Sequence, residues 1–159
     1  MRLIFKQKFF SWFDSYDILY ENGSLAYEVK GQLSWGHKLN IYDPYGNYIA
    51  SVKEKIFTFL AAFDFNIGHR NIGTMNARLS FFRPKYDLDF NGWKIEGDFW
   101  GFNYYIKAPN GKHVVNVSKK LFNFTDTYII DVANPEDALI ALMIVLAIDA
   151  HKCSQESNQ

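Results

Sequence analysis

With 159 residues, 48% apolar and 21% charged, the chain can bury one core, is too short for two ordinary domains and is too apolar for disorder. Its 17 basic and 17 acidic residues cancel, which removes the net positive charge of a nucleic-acid binder and disfavours nucleic acid as a partner. A lone cysteine, Cys153, excludes an internal disulfide and fits a reducing compartment.

Aromatic residues reach 18%, an excess that suits the pleated, half-buried surface of a sheet. From the N-terminus, Met1-Arg2-Leu3-Ile4-Phe5-Lys6-Gln7-Lys8 interrupts its apolar residues with charge and has no signal-peptide core, so a cytoplasmic protein is expected. Period-two alternation and turn residues predict twelve short strands, near 3–7, 16–20, 25–30, 39–42, 48–55, 61–67, 72–80, 85–90, 93–98, 102–107, 113–121 and 127–132. Strands at this spacing without helices between them indicate a sandwich or barrel.

Asn22-Gly23, Asn91-Gly92 and Asn110-Gly111 mark tight turns, because Asn and Gly tolerate positive φ. Asn91-Gly92 as a two-residue turn predicts a hairpin pairing Phe90 with Trp93, Asp89 with Lys94 and Leu88 with Ile95. Asn134-Pro135-Glu136-Asp137 then reads as a helix start: N-cap, proline in the first turn, and acids at the positive end of the dipole. The apolar run Ala138 to Ile148 follows, shorter than the ~20 residues of a membrane span, so no transmembrane segment is expected. A helix apolar on every side must be buried on every side, which predicts residues 135–150 threaded through a barrel, ended by Asp149. Residues 1–152 are expected to form one domain and 153–159 a polar tail.

An internal repeat overlies this pattern. Pro44-Tyr45-Gly46 and Val52-Lys53-Glu54-Lys55-Ile56-Phe57-Thr58-Phe59 match Pro109-Asn110-Gly111 and Val117-Ser118-Lys119-Lys120-Leu121-Phe122-Asn123-Phe124, 65 residues later. Trp35-Gly36 matches Trp100-Gly101 at the same spacing. Two long copies indicate a duplicated half-domain.

Tyr27-x-Val29-x-Gly31, Asp43-x-x-Gly46, Val52-x-x-Lys55, Gly97-Asp98-Phe99, Pro109-x-Gly111, Ser118-Lys119-Lys120, Asp126-Thr127-Tyr128 and the helix ending in Ile148-Asp149 stand in a specific order. In that order they resemble the LURP-one-related family, within the tubby C-terminal-like group that also holds phospholipid scramblases. The resemblance spans about Tyr16 to Ala150 and implies a 12-stranded barrel around a central C-terminal helix. It implies little about activity. Tubby proteins bind phosphoinositides through basic residues on the barrel wall, and scramblases add an acidic calcium-binding stretch that has no counterpart here.

No catalytic, nucleotide-binding or zinc motif is present, so neither catalytic residues, a cofactor nor a metal is assigned. His37, His69, His113 and His151 stand far apart and read as surface or loop histidines. Asp87, Asp89, Glu96 and Asp98 alternate with apolar residues, the pattern of a solvated sheet face rather than an acid–base pair. Trp35 and Trp100 are expected to tuck inward and plug a barrel end; the alternative is exposure at loop tips as interfacial membrane anchors. Lys53, Lys55, Lys119 and Lys120 fall on corresponding strands of the two halves and are the candidate ligands for anionic lipid or phosphate; the alternative is that they only guard strand edges. The function expected is therefore a non-enzymatic binding or scaffold module, peripheral at a membrane, with an anionic membrane lipid or a protein as partner. The alternatives are a scramblase-like protein inserted by its C-terminal helix, and an enzyme of unassigned type.

Overall fold

Twelve antiparallel strands close on themselves in the computed structural model, which describes residues 1–7, 15–32, 37–80, 84–122 and 125–156. They are β1 (Arg2–Gln7), β2 (Ser15–Tyr20), β3 (Leu25–Gln32), β4 (Lys38–Tyr42), β5 (Tyr48–Glu54) and β6 (Ala62–Ile67). The second half holds β7 (Arg70–Arg78), β8 (Lys85–Leu88), β9 (Lys94–Asp98), β10 (Asn103–Lys107), β11 (His113–Phe122) and β12 (Thr125–Val132). Each strand pairs with its neighbours in sequence, and β1 closes the wall against β12 from Arg2↔Asp131 to Gln7↔Asp126. Closure leaves no free sheet edge, which is how a mostly β chain of this size avoids pairing with another molecule.

The repeat follows this wall. Its two copies carry β5 and β11, so the halves are offset by six strands in a ring of twelve. Trp35-Gly36 and Asn123-Phe124, which help to define the repeat, lie outside the described residues.

The lumen is filled by α1 (Ala138–Glu156), entered through a short 3-10 turn at Pro135–Asp137. Asn134 caps that turn, its side-chain oxygen accepting from the Glu136 N–H at 3.4 Å. Residues 141–150 are each at most 2% exposed, as a helix with no polar face requires. Around them pack inward-pointing residues of the wall, among them Leu3, Val29, Ile41, Phe65, Ile106 and Ile130. At about 1.5–3 kcal/mol per large apolar side chain, this burial is a leading stabilising contribution. Among the described residues no helix is long and apolar enough to cross a membrane.

The helix runs beyond its expected end at 150, continuing to Glu156 and taking Cys153 out of the expected tail. Asp149 does not stop it, being buried at 2% exposure near Tyr16 and Tyr104, whose hydroxyl pKa values rise through burial first and that carboxylate second. Two residues on, His151 is 8% exposed, with Nδ1 2.9 Å from the Tyr86 hydroxyl and Nε2 3.0 Å from the Gln155 amide nitrogen. It is thus a core histidine and not the surface residue expected.

The Asn91-Gly92 hairpin also departs from expectation. Both residues do have positive φ, 49° and 69°, as the turn demands. The only pair formed, however, is Asp87↔Lys94. β7 and β6 draw the end of β8 away: Asp89 N–H donates to Thr74 O of β7 at 3.2 Å, Asp89 Oδ1 accepts from Thr74 N–H at 2.6 Å, and Phe90 packs on Phe65 of β6. A Cβ at Gly73 would fall 2.4 Å from the Phe90 ring, so this close approach requires glycine there.

Candidate functional site

An up-and-down barrel sorts its connections by end. Links from even to odd strands gather at one end, here the turn end, and are short and glycine-bearing: 21–24, 43–47, 68–69, 89–93 and 108–112. Links from odd to even strands gather at the other, here the loop end, together with the last turns of α1. Segments 8–14, 33–36, 81–83 and 123–124 lie outside the described residues.

The loop end is where apolar surface faces water. Of the large hydrophobic residues exposed among those described, Ile56 (41%), Phe57 (95%), Phe59 (93%), Leu79 (77%) and Trp100 (36%) belong to it, against Met1 and Tyr45 at the turn end. The β5–β6 loop is pinned at its base, Lys55 N–H donating to Ala62 O at 2.8 Å and Thr58 Oγ1 to Lys55 O at 3.3 Å. Leu60 and Ala61 pack against the core, and Ala61 O accepts from Ala77 N–H at 2.8 Å. Phe57 and Phe59 are left projecting, Phe57 with φ of 64°, a region bulky residues rarely enter.

The four candidate lysines come to this same end. Lys53 is the next-to-last residue of β5, Lys55 follows that strand, and Lys119 and Lys120 lie in the last four residues of β11. Lys53 and Lys120 are exposed and make no ion pair with a described residue. Lys55 Nζ stands 3.7 Å from Asp64, and Lys119 Nζ lies 5.8 Å from the centre of the Tyr128 ring. The two pairs are not neighbours: β5 and β11 are six strands apart whichever way the ring is followed. The lysines thus flank the projecting aromatics from opposite sides of one rim.

Trp100 is exposed at 36% instead of tucked inward; its neighbours Phe99 and Phe102, at 5% and 1%, close the barrel there. Lys152 holds the loop by donating to Trp100 O at 3.1 Å. The hairpin carboxylates are tied to structural partners: Asp87 to Arg78, Glu96 to Lys107 at 3.1 Å, Asp89 to Thr74 N–H, and Asp98 to Gly101 N–H at 3.3 Å. Hydrogen bonds from Lys107 and Tyr105 hold the Glu96 pKa below its ordinary value. No cluster of three metal-ligating side chains occurs among the described residues.

Sequence reasoning missed Phe57, Phe59 and Leu79. They were visible in principle: once twelve up-and-down strands are assigned, alternate links share an end, and comparing the two sets separates apolar loops from Asn-Gly turns.

The LURP-one-related family model matches residues 1–149, which is nearly the whole chain. The chain belongs to the LURP-one-related family. A curated relative, the uncharacterized protein YxjI of Bacillus subtilis (strain 168), is 28% identical over 151 residues, covering 94% of this chain and 92% of its own. The crystal structure of the Arabidopsis thaliana protein AT5G01750 superposes with a TM-score of 0.64 at 16% identity, covering 93% of this chain and 90% of that one. This second likeness shows that the two chains share a fold. Neither name carries an activity.

Proposed function

We propose that the chain is a non-enzymatic binding module that docks on anionic membrane surface, loop end first. The observation that carries this is the shared rim. Lysine pairs on opposite sides of a barrel cannot both touch a flat surface laid along the wall, but both approach one laid across the end. That surface would also receive Phe57, Phe59, Leu79 and Trp100, whose exposure to water is otherwise unfavourable. Aromatic and aliphatic tips enter the headgroup region, while lysine stems lie along apolar surface and keep their ammonium groups at the phosphates.

The magnitudes support docking without insertion of a helix. Each lysine near an anionic leaflet contributes about 1 kcal/mol, screened beyond a Debye length of about 8 Å, and each buried phenylalanine about 1.5–3 kcal/mol. The wall encloses α1, which supports a peripheral over a scramblase-like reading, and the structural engagement of the hairpin carboxylates supports a non-enzymatic one.

Sedimentation with phosphatidylserine vesicles tests the electrostatic half. Binding is expected at low salt, weaker at physiological salt, and absent when Lys53, Lys55, Lys119 and Lys120 are all changed to Gln. The melting temperature should barely move in that variant, since exposed charges contribute little to folding. Equal binding by native and four-fold variant proteins would remove the lysines from the site.

A further inference from the structure

The barrel wall has one weak seam. β7 and β8 share four register pairs and β9 and β10 share five, but β8 and β9 meet at Asp87↔Lys94 alone. On the loop-end side of that pair, Lys85 and Tyr86 form no ladder with residues 95–98. A notch of about 660 Å³ occupies the seam, a volume suited to a small organic ligand.

Side chains from both faces of the wall line the notch. Tyr86, Ile95 and Phe99 from the inner face, 6%, 8% and 5% exposed, form an apolar floor with Trp93. The floor is fixed to the core helix through the 2.9 Å contact of the Tyr86 hydroxyl with His151. Lys85 and Lys94 stand on the outer face. The other charges there are already matched, Arg78 by Asp87 and Glu96 by Lys107, whereas Lys85 and Lys94 make no ion pair with a described residue. Lys94 also acts on Glu96 at longer range, but an apolar slot edged by two lysines that form no ion pair with a described residue still complements an apolar chain with an anionic head.

We propose that the seam between β8 and β9 binds a single-chain anionic amphiphile. The alkyl chain lies on Tyr86, Trp93, Ile95 and Phe99, and Lys85 and Lys94 hold the head group. A long-chain carboxylate and a lysophosphatidate share this chemistry. The site does not depend on membrane docking, because the seam is formed in the protein alone.

The test uses the full chain without vesicles, below the micellar concentration of each probe. Dibromostearate, whose bromines quench indole fluorescence at contact, should quench saturably. Trp93→Phe should abolish most of that quenching while calorimetry with stearate still shows binding. Lysophosphatidate is the second arm; saturable binding of either probe supports the site, and their ratio identifies the head group preferred. Changing both Lys85 and Lys94 to Gln should weaken binding about tenfold at unchanged melting temperature. An alkyltrimethylammonium of equal chain length should bind more weakly than stearate.

No saturable binding of either anionic probe overturns the proposal. So does unchanged quenching in Trp93→Phe, undiminished affinity in the double lysine variant, or equal affinity for the cationic probe. Vesicle sedimentation run in parallel separates the two ideas. Vesicle binding without saturable binding of either anionic probe sinks the seam site alone, and the reverse sinks end-on docking alone.

Discussion

Phe57 shows most sharply how a residue can serve something other than folding. It is 95% exposed and sits at φ of 64°, where a bulky residue is strained by roughly 1–2 kcal/mol. Phe57→Gly should therefore hold or raise the melting temperature while weakening vesicle binding; a clear loss of stability would show that the ring has a structural role. Gly97 is the converse. At φ of 133°, a Cβ would lie 2.6 Å from the Tyr104 Cα, which is backbone and has nowhere to go. Gly97→Ala should cost at least about 2 kcal/mol and lower the melting temperature by roughly 5 °C.

His151 makes the fold sensitive to acid. Burial lowers its pKa below the ordinary 6.5, so the folded chain prefers the neutral ring. The stability this provides is complete above about pH 6.5 and is lost as pH falls through the lower folded value. Thermal melts from pH 7.5 to 5 should show a decline below about 6.5, and His151→Gln should flatten that decline. An unchanged slope would mean that other groups govern it. No local pattern signals this burial: a histidine soon after an acidic residue looks like a helix end, and only the wall around it reveals otherwise.

Among elements, those with redundant local signals were the most legible. The twelve strands have alternation, flanking turns and β-rich composition all pointing one way, and the helix has a capped start and no polar face. Their ends were less so. α1 overran 150 because His151 and Lys152 make contacts with Tyr86 and Trp100 that no local pattern encodes. The β8–β9 hairpin failed for a similar reason: its turn formed, but β7 competed for Asp89, and β6 for Phe90, and won. Since α1 fills the lumen, Leu142→Asp should leave no folded protein, an unpaired buried charge costing several kcal/mol. Leu142→Ala should fold and lose about 2–5 kcal/mol in denaturant titration. A stably folded Leu142→Asp protein would place the helix outside the barrel.

At the scale of the whole molecule, a chain of zero net charge is polarised in character along its axis. Tight glycine turns occupy one end; most of the exposed large apolar side chains and the repeated lysines occupy the other. The duplication explains the lysines' placement, because a six-strand offset carries each strand to the opposite side of the ring while keeping its direction. Equivalent residues therefore return to the same end. The sequence named these lysines and their repeat, but not the rim, since which links share an end is a property of the closed topology.

A label that senses its surroundings tests end-on docking most directly, and the chain's lone cysteine makes it practical. In a Cys153→Ser background, an environment-sensitive fluorophore is attached at Thr58→Cys in the β5–β6 loop or at Tyr45→Cys at the turn end. On adding phosphatidylserine vesicles, the loop-end label should brighten and shift to the blue while the turn-end label stays unchanged. No change at position 58, or an equal change at both positions, would contradict docking by the loop end.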